Sequence, residues 1–447
     1  MGLTNENGIE TALPQGFLEQ LAPLLGDELP SFVASYAGTP CRGLRVRAGF
    51  PVPEDAAERV PWAERGYYVP LDSRDGGRVA HEAGAYYMQE PSAMAAAAAL
   101  GAQPGERVLD LCAAPGGKST QLAAKMGGRG VLVCNEPHPA RAQILSRNVE
   151  RLGVENTVVV SMLPERLCER WTGWFDRILV DAPCSGEGMF RRHPETRKEW
   201  NAEAPVRCAD RQAGILHCAA QMLRAGGTLV YSTCTFNPLE NEGVVRGFLA
   251  THPDFTLSPF GLPGVGDSGG MLRLWPHRVR GEGHFVARLV RENGPARSVC
   301  TERTALPDRA ARAAAEAFCA AQGIELPRPL SAFGGQLISP PEETPPLDGV
   351  RVLRVGVHAG SLKGKTFLPD HALALACPGT RRFETDEAGA LCYLRGETLP
   401  CGEEMKGFYS VCCGGMPLGW GKASDGQMKN HYPKGLRRTL QPEWEEA

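Results

Sequence analysis

Arg107-Val-Leu-Asp-Leu-Cys-Ala-Ala-Pro-Gly-Gly-Lys118 decides how this chain is to be read. A short apolar run ends in a Gly-Gly turn, and a helical pattern follows to about Met126. The same order of strand, loop and helix recurs downstream. Strands are expected at residues 130–134, 157–160, 177–181 and 228–232, and helices at residues 138–152, 164–170, in a long stretch ending near 224, and at 238–250. Such alternation predicts a parallel sheet with helices on both faces, and right-handed crossovers make it doubly wound. Residues 271–274 and 283–289 read as closing strands. Ligands of such sheets sit beyond the carboxyl ends of the strands. Two further unusual loops fall at those ends, Asp181-Ala-Pro-Cys-Ser-Gly-Glu-Gly188 and Ser232-Thr-Cys-Thr235.

Composition narrows the class. With 447 residues, two to four domains are expected, and 43% hydrophobic with 22% charged residues is ordinary for a soluble globular protein. No apolar run approaches the roughly 18 residues of a membrane helix. No basic region followed by an apolar one opens the chain, so no secretory signal is expected. Gly2 would suit myristoylation, but Glu6 stands where that motif needs Ser or Thr. Fifteen cysteines without one Cys-x-x-Cys pair predict free thiols in a reducing, cytoplasmic compartment and no zinc site. The net charge of −3 decides nothing about a nucleic-acid partner.

Working outward, residues 1–80 read as a small accessory α/β module. It has two short helices between Leu13 and Ala37, with Leu13, Phe17, Leu21 and Leu24 at helical spacing. An edge strand at 42–47 carries Arg42, Arg45 and Arg47, either a solvated face or a contact for a polyanion. Residues 81–292 form the catalytic domain, opened by the stretch 84–92. Residues 293–349 are a helical and Pro-rich connector. Residues 350–447 are a small β domain beginning with a strand at 351–358. Between Trp420 and Arg438 stand Lys422, Lys429, His431, Lys434, Arg437 and Arg438 against one acid, Asp425, with Tyr432 among them and acidic Glu443, Glu445 and Glu446 beyond. Basic charge with aromatics suits a nucleic-acid surface, and a solvated face competes with it.

At the first turn, Gly116 and Gly117 let backbone N–H groups approach a ligand at a helix start. The spaced G-x-G-x-x-G fingerprint of a nicotinamide site is missing. Nineteen residues past Gly117 stands Glu136, where an acid accepts hydrogen bonds from ribose hydroxyls. A capped helix and a surface glutamate would look the same. Cys184 and Cys234 lie past strand ends at one sheet edge, among Pro, Ser and Thr. A lone cysteine is usually a small buried apolar group, but a packing cysteine is expected inside a strand or helix. Cys134, Cys208 and Cys218 read as packing, and Arg191-Arg192-His193 places basic residues beside the Cys184 loop.

Together Asp110-Leu-Cys-Ala-Ala-Pro-Gly-Gly-Lys118, Asp181-Ala-Pro-Cys-Ser-Gly186, Ser232-Thr-Cys-Thr235 and Gln89-Glu-Pro-Ser92 resemble the Sun (NOL/NOP/Sun) family of S-adenosylmethionine-dependent RNA cytosine-C5 methyltransferases. The tail motifs Cys413-Gly-Gly-Met-Pro-Leu-Gly-Trp-Gly-Lys422 and His431-Tyr-Pro-Lys434 are similar to a PUA-like end found in bacterial members acting on small-subunit ribosomal RNA. The resemblance implies a Rossmann-like methyltransferase sheet and a cofactor, S-adenosyl-L-methionine. Cys112, Ala113, Ala114, Pro115, Gly116, Gly117 and Lys118 would wrap its methionine and ribose portions. Glu136 would hold the ribose hydroxyls with Arg141 nearby, and Asp181 would face both cofactor and cytosine. Cys234 would attack ring carbon 6, and Cys184 would assist breakdown of the adduct. The target base would have to be unstacked to reach the pocket.

The chain departs from that family where Ser161-Met-Leu163 replaces an Asp or Asn facing adenine, and where Arg47 replaces an Asn at an early strand end. The expected partner is 16S ribosomal RNA bound by a monomer, with no membrane. The same chemistry on transfer RNA, a catalytically silent RNA-binding assembly factor, and a methyltransferase for protein or small molecules are the alternatives. Retention of both thiols speaks against the second, and the basic stretches against the third.

Overall fold

The computed structural model describes residues 13–437, apart from 57, 72, 74–77 and 303. The readings placed on Gly2, Glu6, Arg438, Glu443, Glu445 and Glu446 lie outside the described residues. At the centre is a nine-stranded sheet. Its main strands are β1 (Arg107–Asp110), β2 (Val131–Asn135), β3 (Thr157–Val160), β4 (Phe175–Asp181), β5 (Leu223–Thr233) and β6 (His284–Arg291). They run in the spatial order β6-β5-β4-β1-β2-β3. The first five are parallel, and β6 closes antiparallel against β5. The chain therefore reverses direction across the sheet at the β1/β4 boundary, where doubly wound folds bind ligands.

Burial explains the near-continuous apolar strands. Every residue of β1, β2 and β3 is buried, as expected when helices cover both faces. Leu109, Val133, Val158 and Ile178 pack on one face against Trp171, Trp174 and the helix Ala204–Met222. Val108, Leu132, Val159 and Leu179 pack on the other against the Ala-rich helix Met94–Leu100 and the helix Gly117–Met126. Period-two alternation thus feeds two cores from one set of strands.

The accessory module builds a four-stranded sheet in the order Glu58–Arg59, Gly66–Val69, Arg42–Val46, Tyr86–Met88. The strand expected at its edge is interior, paired on both sides. Its arginines are accordingly not a free basic face. Arg45 is buried and donates to Gln89 Oε1 (2.6 Å), Gly117 O (2.6 Å) and Thr120 Oγ1 (2.7 Å). Arg47 turns towards Leu375 O. Leu24, read as a core position, is exposed, and Leu25 is buried in its place.

The stretch expected as a single strand at 351–358 divides at Gly356, whose φ of 56° breaks the extended run. Val352–Val355 pairs antiparallel with β3 and becomes the outermost strand of the central sheet. Val357–Lys363 instead joins Ser331–Phe333, Gln336–Ser339 and Thr366–Pro369 in a second, four-stranded sheet. A division at residue 350 therefore cuts through one sheet and detaches a strand from another. The last module is a five-stranded sheet ordered Arg382–Thr385, Gly407–Cys413, Met416–Ser424, Gln427–Asn430, Leu399–Pro400. No described helix is long and apolar enough to cross a membrane.

Candidate active site

The heads of β1, β4 and β5 lie side by side, so three loops distant in sequence meet at one edge. After β1, the turn reaches Gly116 at φ 115°, a conformation that favours glycine, and a side chain there would press on Leu145. Gly117 then starts the helix that carries Lys118. Lys118 Nζ donates to Asp181 Oδ2 at 2.8 Å, across from β1 to β4. Asp181 Oδ1 accepts from Ser232 Oγ at 2.8 Å, and these two residues are register partners on β4 and β5. Burial opposes ionisation of Asp181, but the Lys118 charge, helped by His284, outweighs it and holds the carboxyl well below its usual range. Burial likewise works against charge on Lys118, and Asp181 more than compensates, so the ammonium is kept.

Cys184 lies three residues past β4 and Cys234 one past β5, and their sulfurs are 3.3 Å apart. A disulfide would place them about 2 Å apart. All fifteen cysteines are free thiols. Gly188 N donates to Cys234 O at 2.8 Å, and a side chain at Gly188 would come within 2.6 Å of that oxygen. Glycine is therefore required for the two loops to close on each other. The hydrogen bond to Cys234, and then burial, push the Cys184 thiol well above its ordinary range. Either sulfur can donate to the other across this contact.

On the other side of β1, Glu136 is buried at the head of β2 and accepts from His138 N at 2.9 Å. Arg141 Nη1 lies 3.1 Å from Glu136 Oε2, and Arg141 Nη2 donates to Ala114 O at 3.1 Å. One guanidinium therefore spans the glycine turn and the acid. Cys112 is half-buried against the core, and desolvation of its sulfur with the nearby Asp110 and Asp181 charges raises its thiol well above the normal range, as fits a packing role in the turn. Where the family pattern has an acid or amide, Met162 N donates to Asn135 Oδ1 (3.0 Å) and the Leu163 side chain is 60% exposed. A glycine turn, a buried carboxylate and an exposed apolar side chain at three adjacent strand heads fit the turn, ribose and adenine portions of an adenosyl cofactor.

Several residues were not legible in advance. His284, 2% exposed at the start of β6, lies 3.5 Å from Asp181 Oδ1, and burial with the Lys118 charge lowers its proton affinity. Glu187 and Glu240 are buried beneath the thiol loops. The available signal was the hydroxyl directly after each cysteine, Ser185 and Thr235. Two expected RNA contacts change character. Arg191 is bound inward by Glu282 Oε2 (2.7 Å), Gly281 O (2.8 Å) and Ser35 O (3.1 Å), so only Arg192 of that pair is exposed. Trp420 and Tyr432 are buried core residues and offer no stacking face. Lys422, Lys429, His431 and Lys434 are exposed, with Lys422 and Lys429 paired across neighbouring strands.

A profile of the 16S rRNA methyltransferase RsmB/F family matches residues 97–290. Profiles for the N-terminal domain of 16S rRNA methyltransferase RsmF, the RsmF rRNA methyltransferase first C-terminal domain and the methyltransferase RsmF PUA domain match residues 13–91, 317–377 and 380–438. A ribosomal RNA small subunit methyltransferase F of Erwinia tasmaniensis is 32% identical over 467 aligned positions, covering 95% of this chain and 97% of that protein. The protein of the same name from Klebsiella pneumoniae is 35% identical, covering 85% and 84%. A crystal structure of a methyltransferase homolog protein from Pyrococcus horikoshii superposes with a TM-score of 0.50 at 29% identity, covering 62% of this chain and 99% of that one.

Proposed function

From the premise that this chain belongs to the ribosomal RNA small subunit methyltransferase F family, we propose that it methylates carbon 5 of a cytosine in small-subunit ribosomal RNA through a covalent adduct with Cys234. Membership carries S-adenosylmethionine-dependent methyl transfer to ribosomal RNA. The choice of cytosine, the adduct and the role of each residue are the reading offered here. The observation that carries it is the 3.3 Å approach of Cys184 and Cys234 beside the Lys118–Asp181 pair.

The chemistry needs such a pair. Carbon 5 of cytosine is a poor nucleophile until a thiolate adds at carbon 6 and makes it enamine-like. Cys234, one residue past the end of β5, is the sulfur that adds. Asp181, kept ionised and fixed by Lys118 and Ser232, faces the amidine edge of the ring, where an anionic acceptor orients the exocyclic amine. When bound, S-adenosylmethionine supplies the methyl group as an electrophile. Residues Cys112–Lys118, Glu136 and Arg141 would hold it at the β1/β2 heads. Once carbon 5 carries the methyl group its proton must leave: Cys184, after giving its own proton to solvent, takes the carbon-5 proton, the C–H electron pair re-forms the carbon 5–carbon 6 double bond, and the bond from carbon 6 to Cys234 breaks to release the thiolate.

All of these groups come from one chain, which supports a monomer as the working unit. Lys422 and Lys429 in the last module support phosphate contact away from the site.

The test is the Cys184→Ala variant mixed with small-subunit ribosomal RNA and cofactor. A protein–RNA adduct should persist on a denaturing gel, and the absence of any adduct would overturn the elimination role. Transfer RNA run in parallel should give none.

A further inference from the structure

Glu187 and Glu240 are fully buried carboxyls at the thiol loops to which the chemistry above gives no task. Glu187 Oε1 accepts from Gln20 Nε2 (2.7 Å) and Trp200 Nε1 (3.1 Å), and its Oε2 accepts from Thr235 Oγ1 (2.9 Å) and Phe236 N (3.1 Å). Glu240 Oε2 accepts from Ser185 N (2.9 Å) and Gln212 Nε2 (2.9 Å), while its Oε1 is in short contact with Ser185 Oγ. Ser185 Oγ lies 2.8 Å from Thr235 Oγ1. Ser185 directly follows Cys184, and Thr235 directly follows Cys234. The run Glu240–Ser185–Thr235–Glu187 therefore bridges the two loops.

Counting hydrogens makes the arrangement specific. The run has three oxygen–oxygen contacts, but its two hydroxyls bring only two hydrogens. The third must sit on a carboxyl. Glu187 receives three N–H groups spread over both of its oxygens, so a hydrogen on it could go only to Thr235 Oγ1, from an oxygen that already accepts from Phe236 N, or displace the Gln20 and Trp200 donors. Glu240 receives two N–H groups, both on Oε2, which leaves Oε1 to the Ser185 hydroxyl, with the Cys208 thiol also beside the carboxyl. We propose that Glu240 holds the third hydrogen, so that a chain donating from Glu240 to Ser185 to Thr235 to Glu187 fixes the spacing of the two thiols. Burial raises both carboxyls above their ordinary range, which makes a retained proton inexpensive. Glu240 and Glu187 are then positioning residues. Gln20, on the accessory helix Gln15–Leu25, anchors the far end by donating to Glu187 while accepting from Asn237 Nδ2 (2.7 Å). The inference rests on the thiol roles proposed above.

The two glutamates should respond differently to the same change. Glu240→Gln replaces an O–H donor by an N–H donor and keeps the chain, so single-turnover methyl transfer should stay within about threefold. Glu240→Leu breaks it and should slow transfer roughly 10- to 100-fold, with RNA KM and cofactor affinity within about twofold. Glu187→Gln turns amide hydrogens onto existing donors and should cost as much as Glu240→Leu. A second readout does not need activity: diamide takes the two thiol hydrogens as Cys184 and Cys234 join, and mass spectrometry follows the disulfide. Wild type and Glu240→Gln should join quickly, Glu240→Leu and Glu187→Gln at least about tenfold more slowly. If Glu240→Gln joins as slowly as Glu240→Leu, or Glu187→Gln as fast as wild type, the inference is overturned. Should joining rates follow the pattern while methyl transfer ignores it, the chain stands and the thiol roles fall. If Glu187→Gln does not fold, Thr235→Val, with Thr235→Ser as its rescue, carries the same test.

Discussion

The two halves of the site edge are built differently. All of the proposed cofactor half but Leu163 comes from one continuous stretch, β1 to the helix Pro139–Arg151, in which turn, acid and arginine lie within about 30 residues of each other. The thiol half is assembled from loops some 50 residues apart, with Gln20 of the accessory module at its far end and His284 of β6 behind Asp181. The first half follows from local rules of turn and helix start. The second depends on how distant segments pack. Lys118 joins them, since it starts in the glycine turn and ends on Asp181.

Four substitutions would break or sharpen that contrast. Cys234→Ala should abolish methyl transfer, by at least about 10⁴-fold, while calorimetric cofactor affinity stays within about threefold. Retained turnover would remove the nucleophile. Lys118→Met strikes the joint and should slow transfer about 100-fold. With the ammonium gone, burial raises the Asp181 carboxyl, so the acid limb of the pH–rate profile should move to higher pH; an unmoved limb would mean Asp181 does not depend on Lys118. Glu136→Ala acts on the cofactor half alone. It should weaken cofactor binding about 10- to 100-fold, yet leave adduct yield in a Cys184→Ala background unchanged at saturating cofactor. The smallest effect concerns Asp110, buried beneath the turn, where burial raises the carboxyl to about 7 despite a hydrogen bond from Ser119 (2.7 Å). Its folded form binds a proton more tightly than the unfolded chain does. The stability this contributes is complete below about pH 4 and is lost as pH rises through 7. Asp110→Asn should therefore raise the melting temperature at pH 8.5, by roughly 1–3 kcal/mol of stability, and change little at pH 4. Equal shifts at both pH values would contradict the assignment.

The same contrast explains what the sequence could reveal. The sheet was legible because each strand and helix announces itself within a few residues, as in Val131–Asn135 followed by Pro139. The thiol pair was legible because both cysteines fall just past strand ends. Arg45, Arg191 and Trp420 were misread for one reason. Each is a residue type that favours surfaces or stacking, and each is satisfied by a partner from another part of the chain. Nothing in the residues flanking Arg191 points to Glu282. Glu240 escaped for the same reason, as its link to Ser185 exists only after the crossover from β4 to β5 has formed.

The strand Val352–Val355 has a practical bearing on dissecting this protein. It seals the outer margin of β3, satisfying backbone groups that would otherwise stand open along Thr157–Val160. Severing the chain near residue 350 would uncover that margin, and an unsealed apolar margin invites other copies to add to it. A shortened protein made that way would tend to aggregate, and a poor yield would say nothing about RNA. Cutting after Cys377 leaves the seal in place and removes only the last module.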